Sequence, residues 1–458
     1  MKPVLLIDFG STYTKVTAAD VAECKILGTA ASYTTVETDI GDGLDAALAQ
    51  LEKQIGFVNF EKRLACSSAA GGLRMVACGL VPELTAKAAK LAALGAGAKL
   101  TKLYSYELTE DDADEIEAIN PDIFLLTGGT DGGNKDCILK NAEVLATLTT
   151  NFPIIVAGNR NCGSQVMKIL ENKSAFLVEN VMPAVDKLNI EPARAKIRDV
   201  FLERIIKAKG ISKINKLVAG ILMPTPAAVL AAMELLSKGC DDEAGLGDLM
   251  AVDVGGATTD VYSISDGFAA GVEVVYKGLP EPFAKRTVEG DIGMRYSVEG
   301  IVELAGLTRV ALLAGLDESK VENYTKRLKS KADYLPQNKE EQAIDFALAA
   351  LAIETAVQRH AGTIEEVYTT SGKAYVQTGK NLTDVGGIVM TGGALIHSER
   401  QSDLASFAMY SENQAHSLKP KNPRVMFDNK YILSAMGLLG EFYPAAAIKI
   451  MKTELQLF

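Results

Sequence analysis

The chain has 458 residues, enough for two or more domains that each bury a core. With 48% hydrophobic and 23% charged residues its composition is that of an ordinary globular protein, while a net charge of −11 and a pI near 5.1 argue against nucleic acid or an anionic membrane as the main partner. A small anion stays compatible, because backbone amides bind anions without net positive charge.

Six cysteines are scattered with no C-x-x-C pair, and the three histidines show no zinc-ligand spacing. Free thiols without a secretory leader predict a reducing, cytoplasmic setting. The longest uncharged stretch, "LVAGILMPTPAAVLAAM" at 217–233, is shorter than the roughly 20 residues of a membrane span. Pro224 and Pro226 also interrupt it, so it reads as a buried strand, a turn and a core helix.

In chain order, "PVLLIDFG", "YTKVTAAD" and "CKILGTAASYTT" predict three strands, and the spacing of Leu44, Leu48, Leu51 and Ile55 predicts a helix. Residues 64–182 then alternate regularly. Strands are expected at "RLACSS", "TKLYSYEL", "DIFLLTGG", "FPIIVAGN" and "SAFLVEN". Helices are expected at 82–96, 109–119, 135–148 and 162–170, the second capped by Thr109. That block reads as a small doubly wound α/β unit inserted after residue 63. Residues 183–245 read as largely helical, and the acidic "CDDEAGLGD" as a linker. Strands follow at "LMAVDVGGATTDVYSISDG" and "GVEVVYKG". A helix-rich portion covers about 297–380, and the strand "GGIVMTGGALI" precedes a last helix in "DNKYILSAMGLLGEFY". The expected organisation is a first domain made of 1–63 and 183–245, the insertion 64–182, and a second domain 246–458.

One pattern is written twice. "LLIDFGSTYTKV" at 5–16 and "MAVDVGGATTDV" at 250–261 share the frame Asp-x-Gly-x-x-x-Thr-x-Val, matching Asp8 with Asp253, Gly10 with Gly255 and Thr14 with Thr259. Each predicts a strand, a glycine bend and a returning strand. Glycine there allows positive φ and removes the Cβ that would block a ligand, so bend amides can face an anion. Ser11, Thr12, Thr14, Thr258 and Thr259 add hydroxyls, with Gly256 beside Gly255. A carboxylate next to phosphate requires a cation between them, and Mg²⁺ suits one or two carboxylates plus phosphate oxygens. Two such hairpins facing across a cleft would grip ATP or ADP with Mg²⁺, Asp8 and Asp253 serving the metal and the attacking water. Lys15 reads either as a phosphate neutraliser or as a solvated strand side chain. No G-x-x-x-x-G-K-[ST] is present, which excludes a P-loop NTPase.

The paired hairpins resemble the phosphate motifs of the actin, hexokinase and heat-shock chaperone ATPase superfamily. That resemblance implies an α/β fold of two actin-like (ribonuclease H-like) domains around a nucleotide cleft. "VEGDIGMRY" is similar to the segment after the second phosphate turn and nominates Gly290, Asp291 and Gly293. "GGIVMTGGALI" is similar to the adenosine motif and nominates Gly392 and Gly393. In "DNKYILSAMGLL", Ala435 and Gly437 resemble the small residues of a closely packed closing helix. Arg359 is nominated to stack on adenine, against a plain surface charge. No first connecting motif is evident before residue 246.

Over nearly the whole chain, "CSSAAGGLRMVACGLVPELTAKAAKLAALGAGAK" and "PDIFLLTGGTDGGN" together with both hairpins resemble the glutamate mutase accessory family, called MutL in that operon context and unrelated to the mismatch-repair protein of that name. The resemblance implies an accessory ATPase that reactivates an adenosylcobalamin-dependent mutase or aminomutase as its client. Homodimerisation is left open. A small-molecule kinase, with Asp291 or Asp260 as base, and an actin-like polymer remain the alternatives. The Gly128–Gly129 turn reads as a plain βα turn or a second ligand site.

Overall fold

The computed structural model describes residues 2–10, 12–34, 40–68, 73–208, 221–268, 274–331, 333–370 and 372–457. Ser11 and residues 209–220 of the expected helical stretch lie outside them. The chain divides into two compact units, Met1–Ala232 with Gly278–Pro282 and Ser434–Ala447, and Met233–Lys277 with Phe283–Leu433 and Ile448–Phe458.

In the first unit β1 (Pro3–Phe9), β2 (Tyr13–Asp20) and β3 (Lys25–Tyr33) form an antiparallel meander, and the helix Ile40–Ile55 leads to β4 (Lys62–Ser67). Five strands follow: β5 (Arg74–Gly79), β6 (Lys99–Ser105), β7 (Ile123–Leu126), β8 (Ile154–Val156) and β9 (Ala175–Leu177). After the helix Glu191–Ala208 comes β10 (Ile221–Pro224), which runs straight into the helix Thr225–Lys238. The first sheet has the order β10-β4-β1-β2-β3, with β4 and β10 parallel to β1 and β4 respectively. Strand β1 is paired on both sides and buried along its length, hence its unbroken apolar run.

The remaining strands make a second, wholly parallel sheet, β6-β5-β7-β8-β9. Numbered from β5 this is the order 2-1-3-4-5 of an open doubly wound sheet. Its helices form as the sequence implies. Thr109 caps 110–119 in a reciprocal capping box with Asp112. Two expectations for this block are corrected. Strand 62–67 belongs to the first sheet, and β5, hidden in "LRMVACG", opens the second. More consequentially, the block does not bury a core of its own on both faces. Val76, Cys78, Phe124, Leu126, Ile154 and Val156 face a local cluster with helices 110–119, 136–147 and 163–169. Met75, Ala77, Ile123, Leu125 and Ile155, the alternate residues, join one continuous core with Leu5, Ile7, Phe9, Val16 and the helix 191–208.

In the second unit the expected acidic linker contains a two-stranded hairpin, β11 (Gly239–Cys240) with β12 (Glu243–Ala244), and the division between the units falls earlier, inside the helix 225–238. Glu243 pairs with Lys452 at 2.7 Å. The main sheet is built from β13 (Leu249–Val254), β14 (Thr259–Ile264), β16 (Ala284–Glu289), β19 (Gly387–Thr391), β20 (Arg424–Phe427) and β21 (Gln456–Leu457). Its order is β16-β14-β13-β19-β20-β21. The helices 298–305, 307–314, 318–330 and 339–360 supply the expected helix-rich portion, but not to 380. Strands β17 (Thr363–Thr369) and β18 (Gly372–Thr378) form a small sheet with β15 (Val274–Lys277). No helix among the described residues is long and apolar enough to cross a membrane.

The second unit's core contains one titrating device. His360, fully buried at the end of helix 339–360, sits with Nε2 2.8 Å from Ser263 Oγ and Nδ1 2.7 Å from Thr287 Oγ1. Burial, reinforced by the charges of Lys285 and Lys380, holds its pKa well below the ordinary histidine value. The folded state therefore keeps the ring neutral, while the unfolded chain takes a proton below about pH 6.5. Stability from this group is full above that pH and is lost as pH falls. Urea unfolding at pH 7.5, 6 and 5 should show His360→Gln losing up to about 1.4 kcal/mol per pH unit less than the parent chain below pH 6; equal slopes would show that His360 does not report pH.

Candidate functional site

The two repeated stretches fold into the same turn. Gly10 N–H donates to the Tyr13 carbonyl at 3.1 Å, and Gly255 N–H donates to the Thr258 carbonyl at 2.9 Å. A Cβ on Gly10 would lie 2.6 Å from the Tyr13 oxygen, which excludes a side chain there, and one on Gly255 would lie 3.0 Å from the Thr258 oxygen, a tight contact; neither glycine has the positive φ expected of the bend. The registers also correspond. Asp8 lies opposite Lys15 on β2 and Cys66 on β4, and Asp253 opposite Asp260 on β14 and Thr391 on β19.

The repeated threonines have a different task from the one expected. Thr14 and Thr259 are completely buried. Thr14 Oγ1 is 3.1 Å from Thr34 Oγ1, which donates to the Gly10 carbonyl, and Thr259 donates to the Ile292 carbonyl at 3.0 Å. They brace the turn from inside and are not available to a ligand. Thr12 and Thr258 remain partly exposed on the turns themselves, and Lys15 is partly exposed beside its strand partner Asp8.

Around Asp8 the first unit places groups that the motif did not reveal. Thr225 Oγ1 donates to Oδ1 at 2.6 Å, Ser434 Oγ donates to Oδ2 at 3.0 Å, and the Cys66 thiol donates to Oδ1 at 3.5 Å. Burial, then the charge of Asp8, pushes the Cys66 thiol well above its ordinary pKa and keeps it protonated. Thr225 stands where β10 turns into its helix, and "PTP" gives no sign in sequence of its contact with residue 8.

The second unit gathers most of the other nominated residues about the turn 255–258. Met294 N–H donates to the Gly255 carbonyl at 3.0 Å; the N–H groups of Arg295 and Tyr296 donate to the Gly256 carbonyl at 2.8 and 2.9 Å; Ser297 Oγ donates to the Ala257 carbonyl at 2.9 Å. Gly293 packs so closely that a Cβ would sit 2.3 Å from the Ala257 carbonyl carbon. Gly392, at φ +110°, approaches the end of β13, where a Cβ would lie 2.4 Å from the Val254 oxygen, and a Cβ on Gly393 would lie 3.0 Å from the Tyr431 hydroxyl. Gly293 thus borders the second turn and Gly392 the strand that enters it, while Gly290, whose carbonyl lies 3.4 Å from Ser297 Oγ, and Asp291 precede Gly293 in the same segment. Asp428, absent from the motif reading, accepts from the backbone N–H groups of Ile432 (2.8 Å) and Leu433 (3.2 Å), anchoring the head of the helix Leu433–Gly440.

Two of the nominated residues are engaged in ion pairs. Arg359 pairs with Glu289 and lies 4.0 Å from Asp291, which ties its guanidinium to the carboxylates of the 289–291 segment. Asp260, the alternative kinase base, is buried and held by Arg286 at 2.6 Å, leaving no carboxylate free to accept a substrate proton.

The carboxylates and hydroxyls at the two turns are the hard oxygen donors that Mg²⁺ takes. Among the described residues no group of three or more His, Cys, Asp or Glu side chains is placed to hold a metal. At each turn, taken by itself, the carboxylate and the hydroxyls are of the hard oxygen type that suits a cation keeping water and phosphate oxygens as its other ligands. Replacing Gly293 by alanine should force the 290–296 segment off the turn, costing about 1–3 kcal/mol of stability. Thermal unfolding with ADP titration checks this, and an unchanged melting temperature and affinity would show that the segment tolerates the side chain.

Two sheets share five strands in the same order, each a three-stranded meander continued by two parallel strands and each ending its first strand in the same aspartate-glycine turn, the second sheet adding β21 antiparallel at its edge; this pairing defines a protein of the actin-like class, with ribonuclease H-like domains. The MutL protein family model matches residues 4–455, and "Protein MutL" of Clostridium tetanomorphum is 48% identical over 456 residues, covering 99% of each chain. The chain belongs to the MutL protein family. Among solved structures it is similar to the activator of 2-hydroxyisocaproyl-CoA dehydratase from Clostridium difficile with bound ADPNP (8% identity, TM-score 0.35, 97% of this chain and 95% of that one). It is also similar to the nucleotide-free diol dehydratase-reactivating factor (12% identity, TM-score 0.35, 97% and 100%) and to xylulose kinase from Bifidobacterium adolescentis (11% identity, TM-score 0.33, 100% and 95%). The fold assignment rests on strand order and pairing.

Proposed function

We propose that this chain binds and hydrolyses adenine nucleotide and, through that cycle, acts as an accessory, reactivating protein for an adenosylcobalamin-dependent mutase of the glutamate mutase or aminomutase kind. The observation that carries the nucleotide half is the repeated turn, Gly10 to Tyr13 and Gly255 to Thr258, formed at equivalent registers of two sheets that share the order of five strands. Glycine bends of this kind present backbone amides to phosphate. Gly10 and Gly255 close the turns with their own amides; Gly256, Thr12 and Thr258 at the bends would contact phosphate, and Gly392 and Gly393 would leave room for adenosine. Mg²⁺, held through Asp8 and Asp253, would neutralise phosphate charge and polarise the leaving group. The client half is supported by membership of the MutL family.

The test has two arms. Isothermal titration with ADP, with and without Mg²⁺, should show saturable binding and phosphate release from ATP. Glutamate mutase inactivated by turnover should regain activity with the chain, ATP and fresh adenosylcobalamin together, and not when ATP is omitted. Binding without any ATP-dependent recovery would retain the nucleotide site and remove the reactivating role. Phosphate release that requires an added hydroxylated substrate would make the protein a kinase.

A further inference from the structure

We propose that Thr225 and Ser434 are positioning residues that lock the Asp8 carboxylate in one orientation for nucleotide hydrolysis. The inference rests on the hydrolytic reading above and deepens it. Asp8 is buried at the end of a strand, with only 6% of its surface exposed. Each of its oxygens receives a hydroxyl proton, Oδ1 from Thr225 at 2.6 Å and Oδ2 from Ser434 at 3.0 Å. With a hydroxyl donor on each oxygen the carboxylate cannot swing about its Cβ–Cγ bond without breaking a charge-assisted hydrogen bond.

The two hydroxyls arrive from helices, and the helices are built to bring them there. Thr225 is the first residue of 225–238, and Ser434 the second of 433–440. A Cβ on Gly437 would lie 1.9 Å from the Ala228 carbonyl oxygen, so these helices touch backbone to backbone. Glycine at 437 and alanine at 228 permit that approach and carry both helix heads to one carboxylate. Pro224, in register with Ser67, places Thr225 one residue past the sheet edge, where Cys66 and Asp8 are themselves cross-strand partners. The Cys66 sulfur, 3.7 Å from Thr225 Oγ1, fills the remaining side. A buried carboxylate could be satisfied by any donors. A pair that spans both oxygens and comes from two closely packed helices fixes a direction as well, which is what a group that aims a water or a metal-bound ligand requires.

The experiment compares Thr225→Val, Thr225→Ser and Ser434→Ala in the parent chain and in an Asp8→Asn background, reading ADP affinity by calorimetry and steady-state phosphate release with Mg²⁺. Thr225→Val should lower turnover roughly tenfold to a hundredfold, the usual cost of a hydrogen bond to a charged group, with ADP affinity within about threefold. Thr225→Ser should restore most of the rate. In the Asp8→Asn background Thr225→Val should change turnover less than about twofold, because it acts through the missing carboxylate. Turnover of Thr225→Val at the parental rate, or the same fold loss with and without Asp8, overturns the proposal. Should Thr225→Val fail to fold by circular dichroism, Ser434→Ala in both backgrounds decides by the same criteria. A parent chain that binds ADP and hydrolyses ATP while the variants are unaffected removes only the clamp. A parent chain that neither binds nor hydrolyses removes the reading on which the clamp depends.

Discussion

Asp8→Asn and Asp253→Asn, made separately, should each reduce ATP turnover about a hundredfold or more while leaving ADP binding measurable. A preorganised charge at a reacting centre is typically worth that much in rate, whereas the glycine turns that would contact phosphate survive both substitutions. The Asp8 change carries a second consequence. An amide presents one acceptor oxygen where the carboxylate presents two, so either the Thr225 or the Ser434 hydroxyl loses its acceptor. Asp8→Asn should therefore also lower the unfolding midpoint, and Asp8→Asn with Ser434→Ala should recover part of that loss. Single-turnover phosphate release and thermal unfolding give both numbers. Parental turnover in both aspartate variants would show that these carboxylates only shape their turns.

Deleting residues 69–182 and closing the gap with a short Gly/Ser linker should leave a chain that does not fold. The sequence pattern favours the opposite outcome, since a strand-helix alternation of that length has the look of a self-sufficient insertion. The packing decides the matter. Met75, Ile123, Leu125 and Ile155 project from the second sheet into the core that also holds Leu5, Ile7 and Phe9. Stranding about five large apolar side chains forfeits on the order of 10 kcal/mol, the whole stability of a typical domain. Expression, solubility and cooperative unfolding of the deletion variant are the readout. A soluble variant with a sharp transition that still binds ADP would show that the first sheet needs no cover from this block and would return it to the role of a detachable docking unit.

Much of the fold was legible because it is locally encoded. The run Val4–Phe9 could only be a buried central strand, and Asp8-x-Gly10 could only bend; the same words at Asp253 and Gly255 announced a second copy, and both sheets agree to the register. Thr109 and Asp112 announced their helix in four letters. Strands β5 and β20 escaped because a short apolar run has no period long enough to read, and β16, β17 and β18 because their charged and polar residues break the alternation. The ion pairs of Arg359 and Asp260 were not legible for one reason. A charged side chain in sequence carries no mark of its ion-pair partner, and Glu289 and Arg286 lie 70 and 26 positions away.

What the sequence determined by itself was everything set by neighbours along the chain: turn chemistry, glycine requirement, helix caps, alternation in strands, and the duplication that identifies the class. What only the tertiary structure decided was which distant groups meet. Thr225 and Ser434 reach Asp8 across 217 and 426 positions, and nothing about a lone hydroxyl beside a proline or at the head of a late helix foretells that. The alternate faces of the second sheet likewise carry the same kinds of residues, and only the packing shows that one face is local and the other shared. Burial and hydrogen bonding are properties of assembled surfaces, so a residue's chemistry is written in the sequence while its partner is written in the fold.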